Sequence, residues 1–176
     1  MDKGPVDRFE RTIVRAERPE KIRLGEMLVE LRLITVDQLK IVLEQHIKTG
    51  KKVGRIFVES GYISEDQLAQ AIAKLYRAPY VDLNKDYPLA PDVVRRLPEA
   101  QARHHKAIVL EEHSTHFVVG FADPSDLFAY DEVGRQLKRE IKSAVVAEVG
   151  LLAGLDRVYR KVDQISGLAK ELEQDI

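Results

Sequence analysis

The sequence predicts an α+β protein: an N-terminal all-helical two-fold repeat of helix pairs, followed by a small α/β sandwich. Three observations carry that expectation. A pattern that opens at Arg23 is written again 29 residues later, from Lys52; the texture changes at Pro79; and apolar runs then alternate with helical stretches as far as Tyr159.

Arg23-Leu24-Gly25-Glu26-Met27-Leu28-Val29-Glu30 opens the first copy, and Lys52-Val53-Gly54-Arg55-Ile56-Phe57-Val58-Glu59 opens the second. At the same offset Ile34 meets Ile63, Thr35 meets Ser64, and Asp37-Gln38-Leu39 meets Asp66-Gln67-Leu68. Such a period is that of a helix–turn–helix unit that buries its apolar face only by stacking on a neighbour. In the first copy Met27, Leu28 and Leu31 share a helical face over 25–33, which Ile34 just beyond it can extend. Thr35-Val36-Asp37-Gln38 then has the spacing of a capping box, which starts a second helix carrying Leu39, Val42, Leu43 and His46 and stopping at Gly50. The second copy stops its first helix at Gly61, caps the next with Ser64 and Gln67, and puts Leu68, Ala71, Ile72 and Leu75 on the buried stripe.

Residues 1–21 alternate charges with Phe9, Ile13 and Val14 and contain Pro5 and Pro19, so they read as a short amphipathic helix or, in preference, an N-terminal arm. After Pro79, Tyr80-Val81-Asp82-Leu83 reads as a short strand, and a connection punctuated by Pro88, Pro91 and Pro98 marks a subdomain boundary. Two apolar runs, 107–111 and 116–121, flank a polar turn at Ser114 and predict an antiparallel pair. Asp123-Pro124-Ser125-Asp126 leads into a helix over 127–137, a strand is expected over 141–147, and a helix over 151–159 completes β-β-α-β-α. The expected division is therefore an arm over 1–21, a helical repeat over 22–83, an α/β subdomain over 84–160, and a helical tail or linker over 161–176.

Composition removes several classes of function. With 28 basic and 29 acidic residues the formal net charge is −1, which leaves no general electrostatic drive toward nucleic acid or an anionic membrane. The chain has no cysteine, so disulfides and thiolate metal sites are out. No apolar run approaches the ~18 residues of a membrane span, and the mixed-charge N-terminal stretch lacks a signal-peptide core. A cytoplasmic protein is expected. No Gly-x-x-x-x-Gly-Lys-Ser/Thr loop occurs, since Gly50-Lys51 lacks both the upstream glycine and the following hydroxyl. His104 and His105 are adjacent and diverge by about 100° on a helix, so they are no one-face zinc pair. With no nucleophile elbow either, no catalytic or metal-binding residue is expected, and the chain is read as a non-enzyme.

The repeat starts are the informative chemistry. A cation, an apolar residue and a glycine at the entry to a helix would gather backbone N–H groups and a positive side chain in one place, an anion seat that the glycine lets a ligand approach. Two such seats could hold a ligand with two phosphates, with leucines of the following helices against flat apolar faces. The alternative for the same residues is that Gly25 and Gly54 allow close helix packing while the cations are solvated.

At these residues the sequence resembles the N-terminal, MshEN-type domain of type II secretion and type IV pilus assembly ATPases, over about 22–160. That family's motif, written twice, runs Arg-Leu-Gly, two apolar positions, a glycine, two more apolar positions, spaced leucines and a closing glutamine. The first copy matches at Arg23-Leu24-Gly25, Leu28-Val29, Leu33-Ile34, Leu39 and Leu43; the second at Gly54, Phe57-Val58, Gly61, Ile63 and Leu68. Pro79-Tyr80-Val81-Asp82-Leu83 and Phe121-Ala122-Asp123-Pro124-Ser125-Asp126 are also similar to the family. The resemblance implies cyclic di-GMP as the ligand in some members, no other cofactor, and a protein partner in the cytoplasmic part of an inner-membrane platform protein, which would hold the chain peripherally at that membrane. On that implication the ligand-binding residues are Arg23, Leu24, Gly25, Leu39, Leu43 and His46 in the first copy, and Lys52, Val53, Gly54, Leu68 and Ile72 in the second.

This chain departs from the motif in ways that weaken the second copy. Arg32 stands where the first motif has glycine, Lys52-Val53 replaces Arg-Leu, and the closing glutamines fall at His46 and Leu75. Lys52 keeps the charge without the planar fork that grips phosphate bidentately. Leu75 can donate nothing, and leaving a buried polar group without its hydrogen bond costs about 1–3 kcal/mol. Two functions are therefore expected as alternatives: a regulatory module that binds cyclic di-GMP with a degenerate second half-site, or a docking domain for the platform protein with no nucleotide binding. In either case the purified chain should hydrolyse neither ATP nor GTP above background. Turnover that survives purification and disappears on a point change in this chain would overturn that expectation.

Overall fold

Each copy of the repeat builds two helices, and the computed structural model, which describes residues 20–174, shows where they begin and end. Of the expected arm over 1–21, all but the last two positions lie outside the described residues, as do 175–176 of the expected tail. α1 (Glu20–Glu30) and α2 (Val36–Thr49) come from the first copy, α3 (Val53–Glu59) and α4 (Glu65–Tyr76) from the second. The chain divides into two compact units between Ser64 and Glu65. The division thus falls inside the second copy, upstream of the Pro-punctuated connection where the sequence suggests it. The reason lies in α4: Ala69 and Ala73 are buried in one cluster with Val145 and Ala147, with Ile72, Ala78 and Tyr80 packed around it. Ala69 and Ala73 form the face packed on that cluster, and Ala71 of the expected stripe is buried as well, while Leu68, Ile72 and Leu75 of the stripe are half-buried.

The first unit holds α1, α2 and α3. Its buried residues include Leu24, Leu28, Ile34, Val42, Val53, Ile56, Phe57 and Ile63. α1 begins earlier than the sequence suggests and stops at Glu30, because Arg32 takes a left-handed conformation at φ 58°. The Leu33 N–H then donates to the Leu28 carbonyl at 3.0 Å and the Arg32 N–H to the Val29 carbonyl at 2.9 Å, the two bonds of a Schellman ending. The second copy repeats this at the same offset. Gly61 has φ 75°, with Tyr62 N–H to the Phe57 carbonyl at 3.1 Å and Gly61 N–H to the Val58 carbonyl at 3.0 Å. The motif glycine is therefore a helix terminator, and Arg32 does its work with a side chain attached. α2 starts in the expected capping box: the Thr35 N–H donates to Gln38 Oε1 at 2.9 Å, and Thr35 Oγ1 accepts from the Gln38 N–H at 3.1 Å. It ends at left-handed Gly50, whose N–H donates to the His46 carbonyl.

The second unit is the α/β body, with α4 joined to it. β1 (Ala107–Glu112) and β2 (His116–Phe121) pair antiparallel, and β3 (Glu140–Val145) runs parallel to β2, giving the order β1-β2-β3. α7 (Leu127–Leu137) is the crossover between the parallel strands and spans the expected residues. Its N-terminus is capped by Asp126, which accepts from the Ala129 N–H at 2.9 Å. β3 closes at Val145, earlier than expected, and the expected strand at Tyr80 is reduced to a single bridge beside it: Val81 N–H donates to the Val145 carbonyl at 2.9 Å, and Val145 N–H to the Pro79 carbonyl at 2.8 Å. The Tyr80 hydroxyl donates to Asp66 Oδ1 at 3.2 Å, and burial, reinforced by the Asp66 and Asp82 carboxylates, pushes it up to about 12.

Two short helices occupy the connection that reads as irregular in sequence, α5 (Pro91–Val94) and α6 (Glu99–His105). Val94 of α5, Ala102 of α6 and Leu97 between them join Ile108, Val109, Val119, Phe121, Val133, Leu151 and Leu155 in the main core. The final helix, α8 (Glu148–Gln174), runs without a break through the expected helix over 151–159 and into the stretch expected as a helical tail or linker. Arg103 ties it down through Asp156 at 2.6 Å, and the Tyr159 hydroxyl donates to the Leu97 carbonyl at 2.6 Å. The fold class is α+β.

The strain at Arg32 sets up a stability comparison. A left-handed residue with a Cβ costs about 1–2 kcal/mol, offset by about 0.3–1 kcal/mol when it carries a cation at a helix C-terminus. Arg32→Gly should raise the urea-unfolding free energy by about 0.5–1 kcal/mol, and Gly61→Ala should lower it by about 1 kcal/mol. A drop for Arg32→Gly at unchanged denaturant slope would contradict the strain account.

Candidate functional site

The cation-apolar-glycine sequence of the first copy lies within α1, not at its entry. Gly25 is the sixth residue of Glu20–Glu30, past the first four N–H groups that alone lack a partner in the helix. A backbone anion seat at Gly25 is therefore not formed. The glycine serves packing instead: a Cβ built on it would overlap Leu39 Cδ1, so its bare backbone is what lets α2 lie close to α1. Leu24, one residue before, is 6% exposed and belongs to the core. Arg23 is half-buried and, among the described residues, has neither an ion pair nor a hydrogen bond.

α2 supplies a second group of side chains. Leu39, Leu43 and His46 recur at helical spacing on one face and are all half-buried, while Val42 between them is fully buried. His46 Nδ1 lies 2.6 Å from the Lys51 carbonyl. A carbonyl only accepts, so Nδ1 carries the proton in this contact, and a ligand would meet the ring at Nε2. The Lys51 ammonium is held by Glu59 at 3.2 Å. That backbone acceptor orienting His46 was invisible in the sequence, because any residue at position 51 would offer it.

In the second copy the expected geometry at the helix entry is present. Lys52 is the N-cap of α3 without a side-chain cap bond, Val53 is the first helical residue and Gly54 the second. Val53 is 4% exposed and packs as core, Gly54 is half-buried and Lys52 exposed. Leu68 and Ile72 are half-buried on α4 in the second unit, where Ile72 packs on the alanine cluster. Among the described residues no group of three or more His, Asp or Glu could hold a metal ion. The first unit thus carries a half-buried leucine pair and an oriented imidazole on α2, and on α1 a guanidinium with no protein partner among the described residues.

A family model for the MshEN domain matches residues 76–165, just over half of the chain. The chain belongs to the MshEN domain family. The type IV pilus assembly ATPase PilB of Myxococcus xanthus is 30% identical over 155 residues, covering 88% of this chain and 27% of PilB. This MshEN chain thus spans about a quarter of that relative's length. A solved structure described as MshE with cdg, that is, cyclic di-GMP, matches with a TM-score of 0.67 and 31% identity over 77% of this chain and 98% of that one. The N-terminal domain of XpsE matches with a TM-score of 0.63 over 80% of this chain and 96% of that one; at 19% identity it shows the fold alone. The likeness is to the N-terminal domain of secretion and pilus ATPases, and no motor domain is part of it. Among the described residues no helix is long and apolar enough to cross a membrane.

The Gly25–Leu39 approach makes a prediction with competing signs. Alanine at position 25 gains up to about 1 kcal/mol of helix propensity, and Leu39 Cδ1 is the free end of a half-exposed side chain that can rotate away. Gly25→Ala should therefore keep stability within about 1 kcal/mol while shifting the Leu39 methyl resonances. Gly25→Val, whose branch leaves Leu39 no such escape, should lower stability by about 1–3 kcal/mol. Unmoved Leu39 methyls in a folded Gly25→Ala protein would refute the packing role.

Proposed function

We propose that this chain is a non-catalytic regulatory module that binds cyclic di-GMP, with the first copy as the stronger half-site. The observation that carries the reading is the likeness to the MshE structure solved with cdg, 31% identical over 77% of this chain. Arg23, free of protein partners among the described residues, meets a phosphate; Leu39 and Leu43 cover a guanine face; His46 meets its polar edge. Leu24 and Gly25 act indirectly, by fixing how α1 and α2 pack. In the second copy Lys52 contributes charge without a bidentate grip, which makes that half-site weaker.

A second reading is favoured by one observation, the absence of the motif residues at Lys52 and Leu75. On that reading the module docks a secretion or pilus ATPase onto the cytoplasmic part of an inner-membrane platform protein and binds no nucleotide. Localisation would then be cytoplasmic and peripheral to the membrane through that partner.

Calorimetric titration with cyclic di-GMP separates the two. The parent chain should bind; Arg23→Ala should weaken binding about tenfold or more, Lys52→Ala only about two- to threefold, and Lys52→Arg should strengthen it. No heat of binding from either the parent or the Lys52→Arg variant, both folded, discards the nucleotide reading and leaves docking, which a pull-down with the platform protein's cytoplasmic domain then tests.

A further inference from the structure

The second unit exposes an apolar step that the nucleotide reading does not use. Leu127 and Phe128, on the first turn of α7, are 71% and 68% exposed. Among the described residues Phe128 is the one aromatic side chain in the set of exposed large hydrophobics. Its ring lies 6.2 Å from that of His105, at the end of α6, which extends the step sideways. Two large apolar side chains presented together with an aromatic neighbour form the kind of surface that isolated exposed leucines do not.

The charges around the step are asymmetric. Arg103 pairs with Asp156 at 2.6 Å and Glu99 at 3.0 Å, Lys106 with Glu148 at 2.9 Å, and Arg135 with Glu132 at 2.7 Å, so these cations are already neutralised. The acids are not all matched in the same way. Asp126 is exposed, and among the described residues its carboxylate accepts from the backbone alone, at the Ala129 N–H. Asp131, four residues on from Leu127 and three from Phe128, is exposed on the same helical face and has no ion pair among the described residues. Among the described residues the side-chain charge without an ion pair beside the step is negative, at Asp126 and Asp131.

We propose that the Leu127–Phe128 step docks a cationic amphipathic segment of a separate protein. Its apolar side chains cover Leu127 and Phe128, and its Lys or Arg residues meet Asp126 and Asp131, the helix-on-surface mode with a complementary rim. The same charges disfavour the other occupants. A second copy placed by a two-fold axis would set Asp126 and Asp131 against themselves, and an anionic lipid surface would be repelled by them. The proposal is independent of cyclic di-GMP, since none of these residues belongs to the repeat.

A displayed random-peptide library selected against the whole chain provides the test, with chosen peptides then synthesised and measured by fluorescence anisotropy. The expected consensus has apolar residues at helical spacing with net positive charge. Affinity for those peptides should fall at least tenfold in Phe128→Ala and in Leu127→Ala, fall several-fold in Asp131→Lys, and weaken as salt is raised. Both apolar side chains are mostly exposed, so the variants should keep the parent's melting temperature; if one does not, the other and Asp131→Lys decide. An empty selection, a neutral or acidic consensus, or affinities indifferent to all three changes overturns the proposal. So does a concentration-dependent dimer in sedimentation that Phe128→Ala abolishes, which would make a second copy the occupant, or binding to anionic vesicles that the same change removes.

Discussion

Most helices among the described residues end on a left-handed residue, and the course of the first unit depends on one of them. At Arg32 the chain reverses, and the Schellman bonds to Leu28 and Val29 fix the direction in which Thr35 starts the next helix. That direction brings Leu39 onto Gly25, and the rest of the α2 stripe follows at helical spacing. Among the described residues the four non-glycine positions at positive φ are Arg32, Arg77, Lys106 and Lys138, each closing a helix with a cation. A cation suits the negative end of a helix dipole, which helps explain why side chains are tolerated where glycine would be easier. The departure from the motif at position 32 therefore concerns backbone strain more than ligand contact.

How much of this was legible depended on whether a residue's role was local. The capping box at Thr35 and Gln38, the stop at Gly50, the hairpin over 107–121 and the bounds of α7 all rest on neighbours within a turn, and the sequence stated them. α5 and α6 were not legible, because four and seven residues are too few to show a helical period, and their prolines read as loop. The alanine face of α4 was hidden for another reason. Leucines look like the buried stripe until it is known that Val145 and Ala147 approach closely enough to require small side chains. The candidate residues were named from pattern, but their division of labour was not: that Leu24 and Val53 are core, and that Gly25 is a packing residue inside a helix, needed the third dimension.

Family membership and ligand reading rest on different parts of the molecule. The matched segment 76–165 falls in the second unit, where the main core is tightly constrained. At Gly120 a side chain would press on Val146, Leu110 and Ile108, and at Gly150 on Leu83, so β2 and the start of α8 tolerate little change. The stripe of Leu39, Leu43 and His46 is half-exposed and carries no such constraint. A scaffold of this kind can hold its fold while residues of the repeat change.

The length of α8 has a mechanical meaning. Leu151, Leu155 and Val158 anchor its first half in the core, and the helix then continues to Gln174. At 1.5 Å per residue the stretch beyond Val158 is about 24 Å long, stiff enough to act as a lever arm. A tilt of about 5° at the anchored half would carry Gln174 sideways by about 2 Å, by simple geometry on that length. Repacking around Val158 too slight to notice within the core would thus reach the far end of the helix as a displacement comparable to a bond length.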